Sequence, residues 1–185
     1  MKSLRVKLAA GVAVLGLAGV GTAAIAHDRS RFNASLTGYE EVPTLSTQGV
    51  GSFQASINRG RDEIRYTLSY RGPFDAQAVG SVTQAHIHLG ARAVNGGIIA
   101  FLCSNLGNGP AGTPACPAEG TVSGTITPAQ VVGPMPQGIL PTEFAELVRA
   151  LRAGAAYANV HTTTNTGGEI RGQIAADDDD HDGHR

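Results

Sequence analysis

Glu63-Ile64-Arg65-Tyr66-Thr67-Leu68-Ser69-Tyr70 is the stretch that decides the fold class. Ile64, Tyr66, Leu68 and Tyr70 recur at every second position, with Arg65, Thr67 and Ser69 between them. Successive side chains of a strand point to opposite faces, so this run predicts a strand with one face in a core and one in water. Immediately upstream, Gly49 to Asn58 alternates in the same way, setting Val50, Ser52, Gln54 and Ser56 against Gly51, Phe53, Ala55 and Ile57. The intervening Asn58-Arg59-Gly60-Arg61-Asp62 is rich in turn formers, and the two runs read as a hairpin.

Working outward, the same pattern recurs. Residues 27 to 33 read as a loose lead-in, and Asn33 to Tyr39 as a first strand ended before Pro43. Val79 to Leu89 is expected to be extended. Asn95-Gly96 is a favoured hairpin dipeptide, after which Ile98 to Leu102 returns as a buried strand. Gly120 to Thr127 alternates and stops at Pro128, and the region from Pro134 to Pro141 is irregular. One helix is expected, capped by Thr142 and stopped by Gly154, with Phe144, Leu147, Val148 and Leu151 on one apolar stripe. Ala155 to Thr162 and Gly168 to Ile174 supply the last strands. About eight short strands and one short helix predict an all-β fold, a Greek-key sandwich or barrel.

Composition agrees and narrows the function classes. The 185 residues suffice for one domain, and 25 glycines suit tight turns between short strands. With 14 basic against 15 acidic residues there is no basic surplus to track a nucleic acid. Lys2, Arg5 and Lys7 precede an apolar run from Leu8 to Val20, and Ala24-Ile25-Ala26 has the form of a cleavage site. Residues 1–26 therefore read as a secretory signal peptide, with a membrane anchor disfavoured by the short, Gly-diluted run. The mature protein would begin at His27, be secreted or periplasmic, and have no membrane span. Cys103 and Cys116 flank a Gly/Pro/Asn-rich loop without a C-x-x-C pattern or a nearby His, and an oxidising compartment favours a disulfide between them. A domain is assigned to 27–175, and the acidic, His-bearing residues 176–185 to a disordered tail.

The chemistry-bearing residues fall on three of the predicted strands. In Gln84-Ala85-His86-Ile87-His88-Leu89 both histidines share a face. In the following strands Asn159 and His161, then Glu169 and Arg171, also lie opposite the apolar set. If the sheet brings these strands together, His86, His88 and His161 could surround one copper or zinc ion, leaving a fourth position for water or substrate. Asn159, Glu169 and Arg171 would then lie behind the ligands, with Glu169 the carboxylate expected to hold a ring nitrogen. His27 would add an amine and an imidazole if cleavage follows Ala26. The plain alternative is a hydrogen-bonded polar network without a metal.

Three ordered motifs carry a family likeness. Leu36-Thr37-Gly38-Tyr39-Glu40-Glu41-Val42-Pro43, Ala85-His86-Ile87-His88 with Asn95-Gly96, and Tyr157-Ala158-Asn159-Val160-His161-Thr162 followed by Gly168-Glu169-Ile170-Arg171-Gly172-Gln173 together resemble the CHRD domain, named for chordin. Gly97 and Thr166 depart from that pattern at turn positions. The resemblance implies a secreted β-sandwich module without a defined activity, and a metal-free interaction or structural module with an extracellular protein partner stands as the alternative. The H-x-H strand with a later His is similar to the copper site of copper-zinc superoxide dismutases. The bridging histidine of that family has no counterpart here, so a binding protein is expected before a redox enzyme.

Overall fold

The computed structural model describes residues 30–73 and 82–177. Its strands are β1 (Arg31–Thr37), β2 (Val50–Ile57), β3 (Ile64–Arg71), β4 (Val82–Leu89), β5 (Ile98–Ser104), β6 (Gly120–Ile126), β7 (Ala156–Thr162), β8 (Ile170–Gln173) and the short β9 (Ala175–Ala176), and its helix is α1 (Phe144–Arg152). All pair antiparallel in one sheet ordered β5-β4-β7-β8-β1-β2-β3-β6, with β9 added to β1. The sheet curls into a nearly closed barrel, as the all-β reading predicts. Its seam lies between β5 and β6, where the Cys103–Cys116 disulfide ties β5 to the loop that leads into β6, with Cα atoms 5.0 Å apart. Tyr66 Oη donates across the same interior to the Leu102 carbonyl at 2.6 Å, and Tyr70 Oη to the Pro117 carbonyl at 2.7 Å.

The alternation in sequence sets which side chains enter. Ala34, Phe53, Leu68 and Val122 occupy matched positions of β1, β2, β3 and β6 and are all buried, whereas the alternate Ser52, Ser69 and Thr121 face outward. Each fully buried Leu or Phe contributes about 1.5–3 kcal/mol relative to exposure. On the other half of the barrel Ala85, Ile87, Ala158, Val160 and Ile170 enter the same core, and Phe144, Leu147, Val148 and Leu151 of α1 join it. β4 and β7 differ from β2 and β3 because their outer faces are buried too. Three connections, residues 38–49, 90–97 and 163–169, fold back over that outer face.

Several expectations change in detail. The first strand begins at Arg31, within the expected lead-in, because Arg31 and Phe32 pair with Ser56 and Ala55 and Phe32 enters the core. Tyr39 leaves the strand for a single 3-10 turn, Gly38–Glu40. Thr142 does not cap α1. Its backbone N–H turns back to the Val131 carbonyl with φ at 71°, and Glu143 precedes the helix, accepting from Leu140 N–H at 2.7 Å. Asn95-Gly96 is no tight turn but the end of the longer 90–97 loop, whose carbonyls are used below. The ordered chain also outlasts residue 175, since Ala176 pairs with Phe32 and the Asp177 N–H bonds to the Arg31 carbonyl. The signal-peptide segment, His27, residues 79–81 of the fourth predicted strand and residues 178–185 of the tail lie outside the described residues. Among those described, no helix is long and apolar enough to cross a membrane.

Because the disulfide ties the seam across a sequence separation of 13 residues, Cys103→Ser/Cys116→Ser should lose about 3 kcal/mol of unfolding free energy in urea titrations. An unchanged midpoint would show that packing and the Tyr66 and Tyr70 hydrogen bonds hold this region without the disulfide.

Candidate metal centre

The centre sits on the outer face of β4, β7 and β8, where pairing register brings the polar sets together. His86 lies opposite Asn159 and His88 opposite Tyr157, while His161 lies opposite Gln84 and so is diagonal to His86. Asn159 in turn lies opposite Arg171. Diagonal cross-strand neighbours are within reach of long or aromatic side chains, and the rings of His86 and His161 approach to 4.9 Å between centroids. His86 and His88 stand 5.3 Å apart and His88 and His161 5.7 Å. Each ring offers a nitrogen within 4.8 Å of those of the other two. This is the only such His, Cys or carboxylate cluster among the described residues. The pairing of β4 with β5 shifts register on both sides of His86-Ile87, which turns the H-x-H segment away from an even ladder.

Burial makes the site dry. His86, His88 and His161 are 0%, 7% and 6% exposed. Phe101 stands edge-on to His86 at 4.5 Å, and the Tyr157 ring stacks nearly parallel on His88 at 4.9 Å. Charging any of the three rings is therefore costly. Burial, reinforced by His161 and His88, pushes the His86 value down to about 2. Burial also lowers His88 to about 4, with the Gly96 carbonyl opposing and His161 and Arg171 adding to the fall. For His161, burial again lowers the value against a contribution from the Thr166 carbonyl.

The hydrogen bonds then fix where the lone pairs lie. His88 Nδ1–H donates to the Gly96 carbonyl at 3.0 Å, and His161 Nδ1–H to the Thr166 carbonyl at 3.0 Å. Each neutral ring consequently carries its lone pair on Nε2. His86 Nδ1 is 3.1 Å from His161 Nε2, which accepts, so the His86 proton is on Nδ1 and its lone pair on Nε2 as well. His86 Nε2 and His88 Nε2 are buried and have no partner. Native proteins satisfy the great majority of buried polar atoms, and two orphaned imidazole nitrogens side by side call for an explanation. The 3.1 Å hydrogen bond between His86 Nδ1 and His161 Nε2 ties these two rings together and leaves His86 Nε2 outside it.

Glu169 and Arg171 serve the rings at one remove. The expectation that Glu169 holds an imidazole is not met: it precedes β8 beside the turn, and its carboxylate is taken by Thr47 Oγ1 (2.5 Å), Thr162 Oγ1 (3.0 Å) and Asn165 Nδ2 (2.5 Å). Those bonds hold the 163–168 turn that presents the Thr166 carbonyl to His161. Arg171, 1% exposed, donates to the Ala91 and Val94 carbonyls and to Asn95 Oδ1, and so holds the loop that presents the Gly96 carbonyl to His88. Gly96 is required there, since a Cβ would sit 1.5 Å from the Leu89 carbonyl oxygen. The Arg171 guanidinium carbon also lies 3.5 Å from the Tyr157 ring centre. Asn159 donates to Glu41 Oε1 at 2.6 Å and to the Ile170 carbonyl at 2.9 Å, and to no histidine.

Glu41 is the site residue that the sequence reading missed. It is 6% exposed, and a Cβ at Gly168 would fall 2.7 Å from its carboxyl oxygens. Burial raises its value to about 7, against the lowering effects of Asn159, Arg171 and the Val42 backbone, while Glu169 adds to the rise. Its signal was present in the Glu41-Val42-Pro43 ending of the first motif, where an acidic residue is locked beside a proline. Of the aromatic walls, Phe101 read in sequence only as one residue of the buried strand Ile98 to Leu102, and Tyr157 only as a residue of the third motif on the face of Asn159 and His161.

The sequence model of the CHRD domain matches residues 32–174. No curated protein and no solved structure matches the chain.

Opposed titrations shape the pH dependence of the metal-free protein. Below the ordinary histidine value of 6.5 the unfolded chain takes up protons that His86 and His88 refuse, so stability falls as pH drops from 6.5 toward 4. Glu41 has the reverse sign over an overlapping window: its contribution is full below the ordinary value of 4.5 and is lost as pH rises to about 7. Thermal unfolding from pH 4 to 9 should show a melting temperature that rises to about pH 7, less steeply than the histidines alone would give, and then levels off. Glu41→Gln should steepen the rise between pH 4.5 and 7 and leave the level stretch above it flat; equal profiles for the two proteins would refute the assignment to Glu41.

Proposed function

This chain belongs to the CHRD domain family, and on that footing we propose that it is an exported binding protein whose outer sheet face holds one copper or zinc ion at His86, His88 and His161. The observation that carries the proposal is the pair of buried, partnerless Nε2 atoms of His86 and His88 within a triad whose nitrogens lie inside 4.8 Å. An ion gives those lone pairs the partner that the fold withholds. Family membership and the Cys103–Cys116 cross-link fit an oxidising, extracellular setting. The two carbonyls behind His88 and His161 fix the tautomers that metal ligation needs. Nothing among the described residues supplies ligands for a second ion, so dismutase chemistry is not part of the proposal.

One observation favours a metal-free module with an extracellular protein partner: the hydrogen bond between His86 and His161 already satisfies one nitrogen of each ring. A single titration separates the two readings. Protein purified without an affinity tag should retain one equivalent of Cu²⁺ or Zn²⁺ through gel filtration. At a free ion concentration of about 100 Kd the ion should add about 2.7 kcal/mol of stability. His86→Ala/His88→Ala should abolish both effects, and uptake by the native chain no greater than that of this variant would leave only the metal-free module.

A further inference from the structure

Resting on the metal reading above, we propose that the ion for which this triad is built is monovalent copper. The cluster holds three imidazoles and no carboxylate, and both cysteines are committed to the disulfide, so no described ligand neutralises the charge of the ion. The Born cost of a buried ion grows with the square of its charge, which makes a divalent ion about four times as costly as a monovalent one of equal size. With exposures of 0%, 7% and 6% for the three histidines, that difference bears fully on the choice of ion.

The fixed charge nearby points the same way. His88 and the Arg171 guanidinium both lie against the Tyr157 ring, placing a permanent cation one side chain from a ligand. The acids that face this region, Glu41 and Glu169, are held by Asn159 and by Thr47, Thr162 and Asn165, and neither contacts a histidine ring. Coordination number agrees. Zinc completes a tetrahedron and Cu²⁺ a tetragonal set only with water or another ligand beyond the three imidazoles, whereas Cu⁺ is satisfied by three nitrogens. Phe101 stands edge-on to His86 and the Tyr157 ring stacks on His88, so aromatic groups and not anionic ones lie against these two rings.

Competition titrations on the full, untagged chain test this, using a chromophoric Cu⁺ chelator under anaerobic conditions and matched chelators for Cu²⁺ and Zn²⁺. One Cu⁺ per chain, bound at least a hundredfold more tightly than either divalent ion and lost in His86→Gln and His161→Gln, is the expected result. X-ray absorption of the Cu⁺-loaded native chain reads the site without relying on the variants folding, and should find three imidazole nitrogens at about 2.0 Å. Cu²⁺ or Zn²⁺ bound as tightly as Cu⁺ at the same histidines would overturn the preference for Cu⁺ while the metal reading survives. Absence of a one-to-one ion, or its retention in both variants with no imidazole coordination in the absorption spectrum, would overturn both.

Discussion

Arg171 is a permanent cation with 1% exposure, and the need to satisfy it organises the loops around the site. An uncompensated buried charge is among the costliest defects a fold can carry, so its donors must find oxygens. They find three on the 90–97 loop, at the Ala91 and Val94 carbonyls and Asn95 Oδ1, and the loop is thereby drawn over β4 and β7. Two residues earlier Glu169 does the corresponding work with Thr47, Thr162 and Asn165 and draws in the 163–168 turn. Each loop then delivers one carbonyl to one ring nitrogen. The rings are oriented by charges that never touch them.

The same closure dries the face. On β2 and β3 the outer residues, among them Ser52, Gln54, Ser56, Arg65 and Thr67, are exposed or half-buried polar groups. On β4 and β7 the outer residues are imidazoles, amides and a phenol, and the covering loops leave two ring nitrogens without a partner in the protein. A polar face that is merely architectural would be expected to close its hydrogen bonds, as Asn159, Glu169 and Arg171 do. Besides Gln173 Oε1, the buried side-chain atoms without a partner among the described residues are Nε2 of His86 and Nε2 of His88, and the metal proposal rests on that pair.

How much of this was legible in the sequence follows from where water is. Ile64, Tyr66, Leu68 and Tyr70 alternate with polar residues because one side of β3 is wet, and the strand is read directly. His86, His88, Asn159, His161, Glu169 and Arg171 follow the same alternation, so their sharing of one face was readable although their burial was not. Burial depends on loops whose course is set by long-range hydrogen bonds, and local pattern carries no trace of them. Asn95-Gly96 shows the limit well: the dipeptide favours a tight turn, but Arg171, 76 residues away, claims Asn95 Oδ1 and holds the longer loop instead. Glu41 was hidden for the same reason, since its partner Asn159 is 118 residues distant. Thr142 misled as a cap because its backbone turns left-handed, φ 71°, and the helix begins one residue later with Glu143 at the cap position.

The central claim is that His86, His88 and His161 form one coordination site whose lone pairs are preset by the Gly96 and Thr166 carbonyls. Imidazole ¹H–¹⁵N spectra of the native chain, recorded before and after one equivalent of Cu⁺, test it most directly. The account predicts neutral rings with Nδ1–H tautomers at His88 and His161, and on metal addition a concerted shift of one nitrogen in each of the three rings while those two Nδ1–H signals persist. Ring signals of the triad that stay unchanged, with shifts confined to His27, His181 or His184, would contradict it.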